Sequence, residues 1–190
     1  MTHPIANQGL RELTQHFRQA GRIESIYLRP ARLVPVTSVS EARAEPGRGL
    51  IGDRSSVTER SGETAHKREV TLIQAEHLPI IGAWMGLTDL DGSRLRRNLV
   101  VSGLNLLSMR SLWKDVTLQW CIGHEVILQV TGSCDPCSRM ETVLGFAGYQ
   151  ALRGHGGVTA RVVAGGLIRV GDAVRFRVLT DENSISESTG

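Results

Sequence analysis

The chain has 190 residues and a formal net charge of +3, which suits one domain that buries about two thirds of its unfolded surface and argues against a general nucleic-acid binder. No apolar run approaches the roughly eighteen residues of a membrane span, and the first 21 residues lack a signal-peptide core. A soluble cytoplasmic protein is expected, a setting that also suits the three cysteines Cys121, Cys134 and Cys137 better than a disulfide scaffold does.

Leu10, Leu13 and Phe17 recur at helical spacing within residues 8–20 and predict a short amphipathic helix, part of an N-terminal extension over residues 1–21. From Arg22 the period changes to alternation, predicting a strand over 22–28, and Pro30 and Pro35 confine the next segment to loop or sheet edge. A further alternating stretch covers 36–44. Three glycines in residues 45–53 (EPGRGLIGD) allow a sharp turn or a close backbone approach. Polar residues 55–66 read as a surface loop, 70–73 as a strand, and 74–85 as a helix that Pro79 kinks or delays. His77 reads as a surface or capping histidine.

Residues 93–103 (SRLRRNLVVSG) place three arginines at the mouth of an apolar strand, 99–101, where charge must be solvated or paired with an anion. Strands at 117–122 and 125–130 are joined at Gly123-His124. Strands at 158–164 and 167–170 flank Gly165-Gly166, a pair that suits a two-residue hairpin. A last strand covers 173–179, and residues 181–190 read as a disordered tail. Many short strands with few helices predict a mainly β, barrel-like domain over 22–180.

Between these strands, residues 131–144 (TGSCDPCSRMETVL) bring two cysteines to a predicted helix start. Asp135 suits the N-cap, Pro136 the first helical position, and Met140, Val143 and Leu144 the buried stripe. Cys137 then falls in the first turn, where free backbone N–H groups favour a thiolate and hence a nucleophile or metal ligand. Arg139 adds positive charge there. On its own, a C-x-x-C pair also fits half of a zinc site, a redox pair or two inert cysteines. Among the 22 basic residues only Lys67 and Lys114 are lysines. Arginine forks suit phosphate and carboxylate, although a GC-rich source gives the same bias.

Five segments, in this order, resemble the MOSC domains, named for the C-terminal domain of molybdenum cofactor sulfurases. They are GLIGDR (49–54), REVTLIQAEHL (68–78), RRNLVVSGLNL (96–106), SCDPCSRME (133–141) and GHGGVTARVVAGGLIRVGD (154–172). The resemblance implies a β-barrel, a molybdenum cofactor, and Cys137 as sulfur carrier or molybdenum ligand. It places Arg54, Arg96, Arg97 and Asn98 around the cofactor pocket, with the register of Arg96 against Arg97 open. Ser55-Ser56 departs from the aromatic or His that comes after the family's GDR motif.

Two functions share these residues. One is a reductase of N-hydroxylated small molecules with electrons from a separate redox protein. The other is a carrier of sulfur or cofactor, loaded by a separate sulfur-donor protein. A barrel that has lost its ligand site is a third reading. Neither a pyridoxal-phosphate domain nor its Schiff-base lysine context is present, so the resemblance does not extend to desulfurase activity.

Overall fold

Ile23 and Ile26 are three apart, a spacing that a regular strand would put on opposite faces, yet both are fully buried in strand β1 (Gly21–Leu28). The pairing register with its neighbour shifts between Ile23 and Ser25, and this bulge returns both side chains to the core. The computed structural model describes residues 9–32, 34–57 and 67–180.

The remaining strands, in chain order, are β2 (Thr37–Val39), β3 (Glu41–Glu45), β4 (Gly49–Leu50), β5 (Val70–Gln74), β6 (Leu99–Ser102), β7 (Val116–Ile122), β8 (Val126–Ser133), β9 (Val158–Ala164), β10 (Gly166–Arg169) and β11 (Ala173–Thr180). Helices are α1 (Leu10–Leu13), α2 (His77–Met85), α3 (Arg139–Leu144) and α4 (Gly148–Leu152). The main sheet runs β11-β7-β8-β9-β5-β6-β1-β2, and a β11–β1 pairing closes its first seven strands into a barrel. Strands β10, β3 and β4 form a second, smaller sheet. The expected mainly β barrel with few peripheral helices is therefore the fold observed.

Ile23, Leu72, Leu99, Val101, Leu128 and Trp120 fill the barrel. Trp120 is fully buried, with Nε1 donating to the Met109 carbonyl at 2.9 Å. Phe17 meets its ring edge-on at a centroid distance of 4.8 Å. Strands β5 and β6 pair in parallel, an arrangement that needs a crossover connection, and α2 supplies the helix in it. Their outer face carries Ile73 and Val100, which pack with Ile81 of α2, Met140 and Leu144 of α3, and Leu152 of α4. Both faces of this pair are thus covered, which explains the continuous apolar runs in its sequence.

Three local expectations change. The N-terminal helix is a single turn with no buried residue, because Phe17 packs from beyond it against Trp120 and Phe176. Residues 158–170 do not form a hairpin: β9 pairs with β8 and β5, while β10 crosses to β3. Burial on both sheets overrides the local turn signal there. Helix α2 begins at His77, so Pro79 lies in its first turn, where it disturbs little. Residues 58–66 of the predicted 55–66 loop and the predicted tail lie outside the described residues. Among the described residues, no helix is long and apolar enough to cross a membrane.

Candidate functional site

Strand β8 shifts register between Val130 and Gly132 and ends at Ser133. The Cys134 N–H then donates to the Gly157 carbonyl at 2.9 Å, which fixes where the cysteine segment leaves the sheet. Gly157 has φ +85°, and a Cβ there would lie 1.9 Å from the Leu72 carbonyl oxygen. Only glycine fits.

Helix α3 begins at Arg139, with Ser138 at the capping position, so Asp135 does not cap it and Cys137 does not lie in its first turn. The start is set by burial: Met140 and Leu144 are the residues that seat on Ile73 and Val100, while Cys134 stays tied to the sheet through Gly157. The first-turn position expected for Cys137 is therefore not the one it occupies. Cys137 is exposed, Cys134 is buried with 5% of its surface accessible, and Cys121 is half-buried on β7.

Arg97 and Asn98 are built into the wall. The Arg97 guanidinium donates to the carbonyls of Gly156 at 2.6 Å, Leu95 at 2.8 Å and Cys134 at 3.3 Å, so it ties the glycine passage to the cysteine segment. Burial holds Arg97 below its ordinary pKa; Cys134 and Cys137 oppose that shift, and Arg29 and Arg68 add to it. Asn98 is also buried. Its Oδ1 accepts from Thr71 N at 3.1 Å and Thr71 Oγ1 at 2.8 Å, and its Nδ2 donates to Asp53 Oδ2 at 3.0 Å.

Asp53 and Arg29 complete this network. Arg29 Nε donates to Asp53 Oδ2 at 2.7 Å and Nη2 to Oδ1 at 3.0 Å, a two-point fork with little solvent access. Burial alone would raise the Asp53 pKa, but Arg29 and Ser55 outweigh it and bring it to about 2. The Ser55 hydroxyl and N–H both donate to Asp53 Oδ1, so the serine that departs from the family pattern after GDR supports this carboxylate. Sequence reasoning did not single out Asp53 or Arg29. An Asp two residues before a Ser N–H is a recognisable turn signal, but its long-range Arg partner is not.

In front of this wall lies a cleft of about 660 Å³. Both Cys134 and Cys137 line it, together with Asp135, Thr71 and seven arginines: Arg29, Arg32, Arg54, Arg68, Arg96, Arg97 and Arg139. Of the residues predicted for the site, Cys137, Arg54, Arg96 and Arg97 come together here, and Asn98 stands behind them. Arg29 is neutralised by Asp53 and Arg97 is tied to carbonyls. The side chains of Arg32, Arg54, Arg68, Arg96 and Arg139 have no carboxylate partner among the described residues. Arg96 also has φ +58°, a conformation that non-glycine residues seldom adopt. Burial, then the charges of Arg139, Arg29 and Arg54, hold its pKa below the ordinary value.

Residues 53–175 match the MOSC domain family model. The chain belongs to the MOSC domain family. Its fold is similar to that of the YuaD protein from Bacillus subtilis, with a TM-score of 0.66 and 19% identity over 83% of this chain and 96% of that one. Similar too are YiiM from Geobacillus stearothermophilus (TM-score 0.61, 16% identity, 83% and 75% covered) and YiiM from Escherichia coli (0.60, 15%, 82% and 69%). No curated protein sequence matches the chain. The MOSC match begins at Asp53, the buried carboxylate, and encloses both cysteines of the cleft.

Elsewhere in this MOSC chain, His77 is not a simple surface group: its ring lies 4.7 Å from that of His155, which Trp84 meets edge-on at 5.0 Å. A separate cavity of about 710 Å³ lies between residues 13–19 and 103–112 and contains neither thiol of the cleft.

Proposed function

We propose that this MOSC protein binds molybdenum cofactor in the arginine-lined cleft, with the Cys137 thiolate as metal ligand. The observation that carries this reading is one exposed thiol lining the same cleft as several guanidinium groups that have no carboxylate partner among the described residues. A phosphorylated pterin dithiolene needs a soft sulfur ligand for its metal and fork-shaped cations for its phosphate. The residues present fit that group. Among the described residues, no three of His, Cys, Asp and Glu cluster as a metal cage, so a metal here would have to arrive with ligands of its own, as the dithiolene provides.

When bound, the cofactor supplies a redox-active metal centre. Arg54 and Arg96 hold its phosphate. Arg97 and Asn98 act one layer back: Arg97 fixes the Cys134 and Gly156 backbone beside the thiol, and Asn98 holds the Asp53–Arg29 pair against the wall. The reaction inferred is reduction of an N-hydroxylated small molecule, R–NHOH with two electrons and two protons giving R–NH2 and water. The electrons come from a separate redox protein.

The exposure of Cys137 also suits a carrier that passes sulfur or cofactor to a partner without turnover. Expression in a cofactor-producing host, followed by molybdenum analysis and pterin fluorescence, tests binding. Wild type should hold both in similar amount, and Cys137→Ser should lose the metal. Each of Arg54→Ala and Arg96→Ala removes a charge-assisted contact worth about 1.5 to 3 kcal/mol and should retain clearly less pterin. Wild-type protein free of pterin and metal overturns the reading; turnover with a chemical reductant then separates enzyme from carrier.

A further inference from the structure

A phosphate monoester presents at most two negative charges, whereas the cleft offers five guanidinium groups free of carboxylate among the described residues. We infer that the cleft is built for a ligand bearing two linked phosphoryl groups, one held by Arg54 and Arg96 and the second by Arg139 together with Arg96. This deepens the cofactor-binding reading and rests on it.

Three observations lead there. Arg96 lines the cleft together with Arg139, Arg29 and Arg54, whose charges act on it, and of these three only Arg29 is paired with a carboxylate among the described residues. Its backbone is held at φ +58° by the turn in which its N–H donates to the Ser93 carbonyl at 3.0 Å, so the fold fixes a strained residue where it meets other cations. Arg139 is the first residue of α3, and the buried stripe of Met140 and Leu144 fixes that helix against the barrel, so Arg139 is presented by a rigid element.

Like charges gathered in one cleft repel each other unless an anion of matching charge bridges them. Two guanidinium forks suffice for one phosphate, and the third finds a partner in a neighbouring phosphoryl group. The cleft's about 660 Å³ lies within the range of small-molecule and cofactor pockets. Two sources share this chemistry: a nucleoside-diphosphate-linked form of the pterin, or a nucleotide that enters separately.

The test uses cofactor-free full-length protein and calorimetric titration at constant ionic strength near 0.15 M, with inorganic phosphate, pyrophosphate and tripolyphosphate as probes. Pyrophosphate should bind more than about tenfold tighter than phosphate, tripolyphosphate should gain less than about threefold more, and Arg139→Gln should bring the pyrophosphate preference below about threefold while leaving phosphate affinity within about twofold. Arg54→Gln, which should weaken both ions, serves as the second variant should Arg139→Gln fail to fold. A preference below tenfold, a further rise of similar size with tripolyphosphate, or equal loss of both ions in Arg139→Gln overturns the inference, as does an Arg54→Gln variant that leaves both ions unaffected.

Acid release from cofactor-loaded protein distinguishes the sources: a nucleoside monophosphate recovered one-to-one with pterin identifies the linked form, whereas pterin without it, together with a nucleoside diphosphate that binds cofactor-free protein more tightly than pyrophosphate does, identifies the separate nucleotide. The two readings fail separately, because pyrophosphate preference is read without pterin and pterin retention is read without pyrophosphate.

Discussion

The Asp53 carboxylate receives the Arg29 guanidinium at two points, Oδ2 from Nε at 2.7 Å and Oδ1 from Nη2 at 3.0 Å, and it does so 24 residues away in sequence. With Asp53 almost fully buried, this pair anchors the back wall of the cleft. Its folded-state pKa of about 2 lies below the ordinary 3.8, so the pair contributes stability at neutral pH that is lost as pH falls from about 4 through 2. The shift corresponds to about 2 kcal/mol. Denaturant midpoints measured from pH 7 to pH 2 should decline in that window, and Asp53→Asn should abolish this part of the decline. Asp53→Asn should also cost about 3 kcal/mol at pH 7, because it leaves the mostly enclosed Arg29 without its counter-charge. A variant as stable as wild type at pH 7 contradicts this.

Arg97 and Arg54 line the same cleft yet should respond differently to substitution. Arg97→Ala strands the buried carbonyls of Gly156, Leu95 and Cys134 and should lower stability by about 2 to 4 kcal/mol. Arg54 is exposed, so Arg54→Ala should change stability by less than about 0.5 kcal/mol. Thermal unfolding of the cofactor-free variants compares them directly; equal losses would mean that Arg97 is not a structural tie.

Exposure orders the three thiols. In folded cofactor-free protein, iodoacetamide should modify Cys137 first, half-buried Cys121 more slowly, and Cys134 only as the protein unfolds. Bound cofactor should protect Cys137. Peptide mapping by mass spectrometry reads all three sites, and Cys134 labelling as fast as Cys137 would falsify the assignment of the two roles.

Gly157 links strand pairing to the site through its carbonyl bond to Cys134 and its contact with Leu72. Gly157→Ala places a Cβ against the Leu72 carbonyl at an unfavourable φ, so a destabilisation of more than about 2 kcal/mol is expected. If the variant still folds, it should bind the cofactor less tightly because the cysteine segment loses its fixed origin. Urea unfolding and then pterin retention measure both effects.

Local pattern determined much of this protein. Alternation placed most strands within a residue or two, the arginines before β6 and the Cys-Asp-Pro-Cys region were visible as chemistry, and the ordered motifs pointed to the MOSC family. Those features are local, since side-chain period and residue type need no partner to be read. Tertiary structure decided the rest. Helix α3 starts at Arg139 and not at Pro136 because Met140 and Leu144 seat on the outer face of β5 and β6, a contact between segments far apart in the chain. Residues 158–170 look like a hairpin, but β10 pairs with β3 because burial on a second sheet outweighs a two-residue turn. Adjacent arginines are alike in sequence, yet Arg97 is buried and tied to three carbonyls, while Arg96, at φ +58°, stays partly exposed with no carboxylate partner among the described residues. Each outcome depends on which distant groups fill a shared volume or satisfy a buried polar atom, and that information lies in the packed chain as a whole.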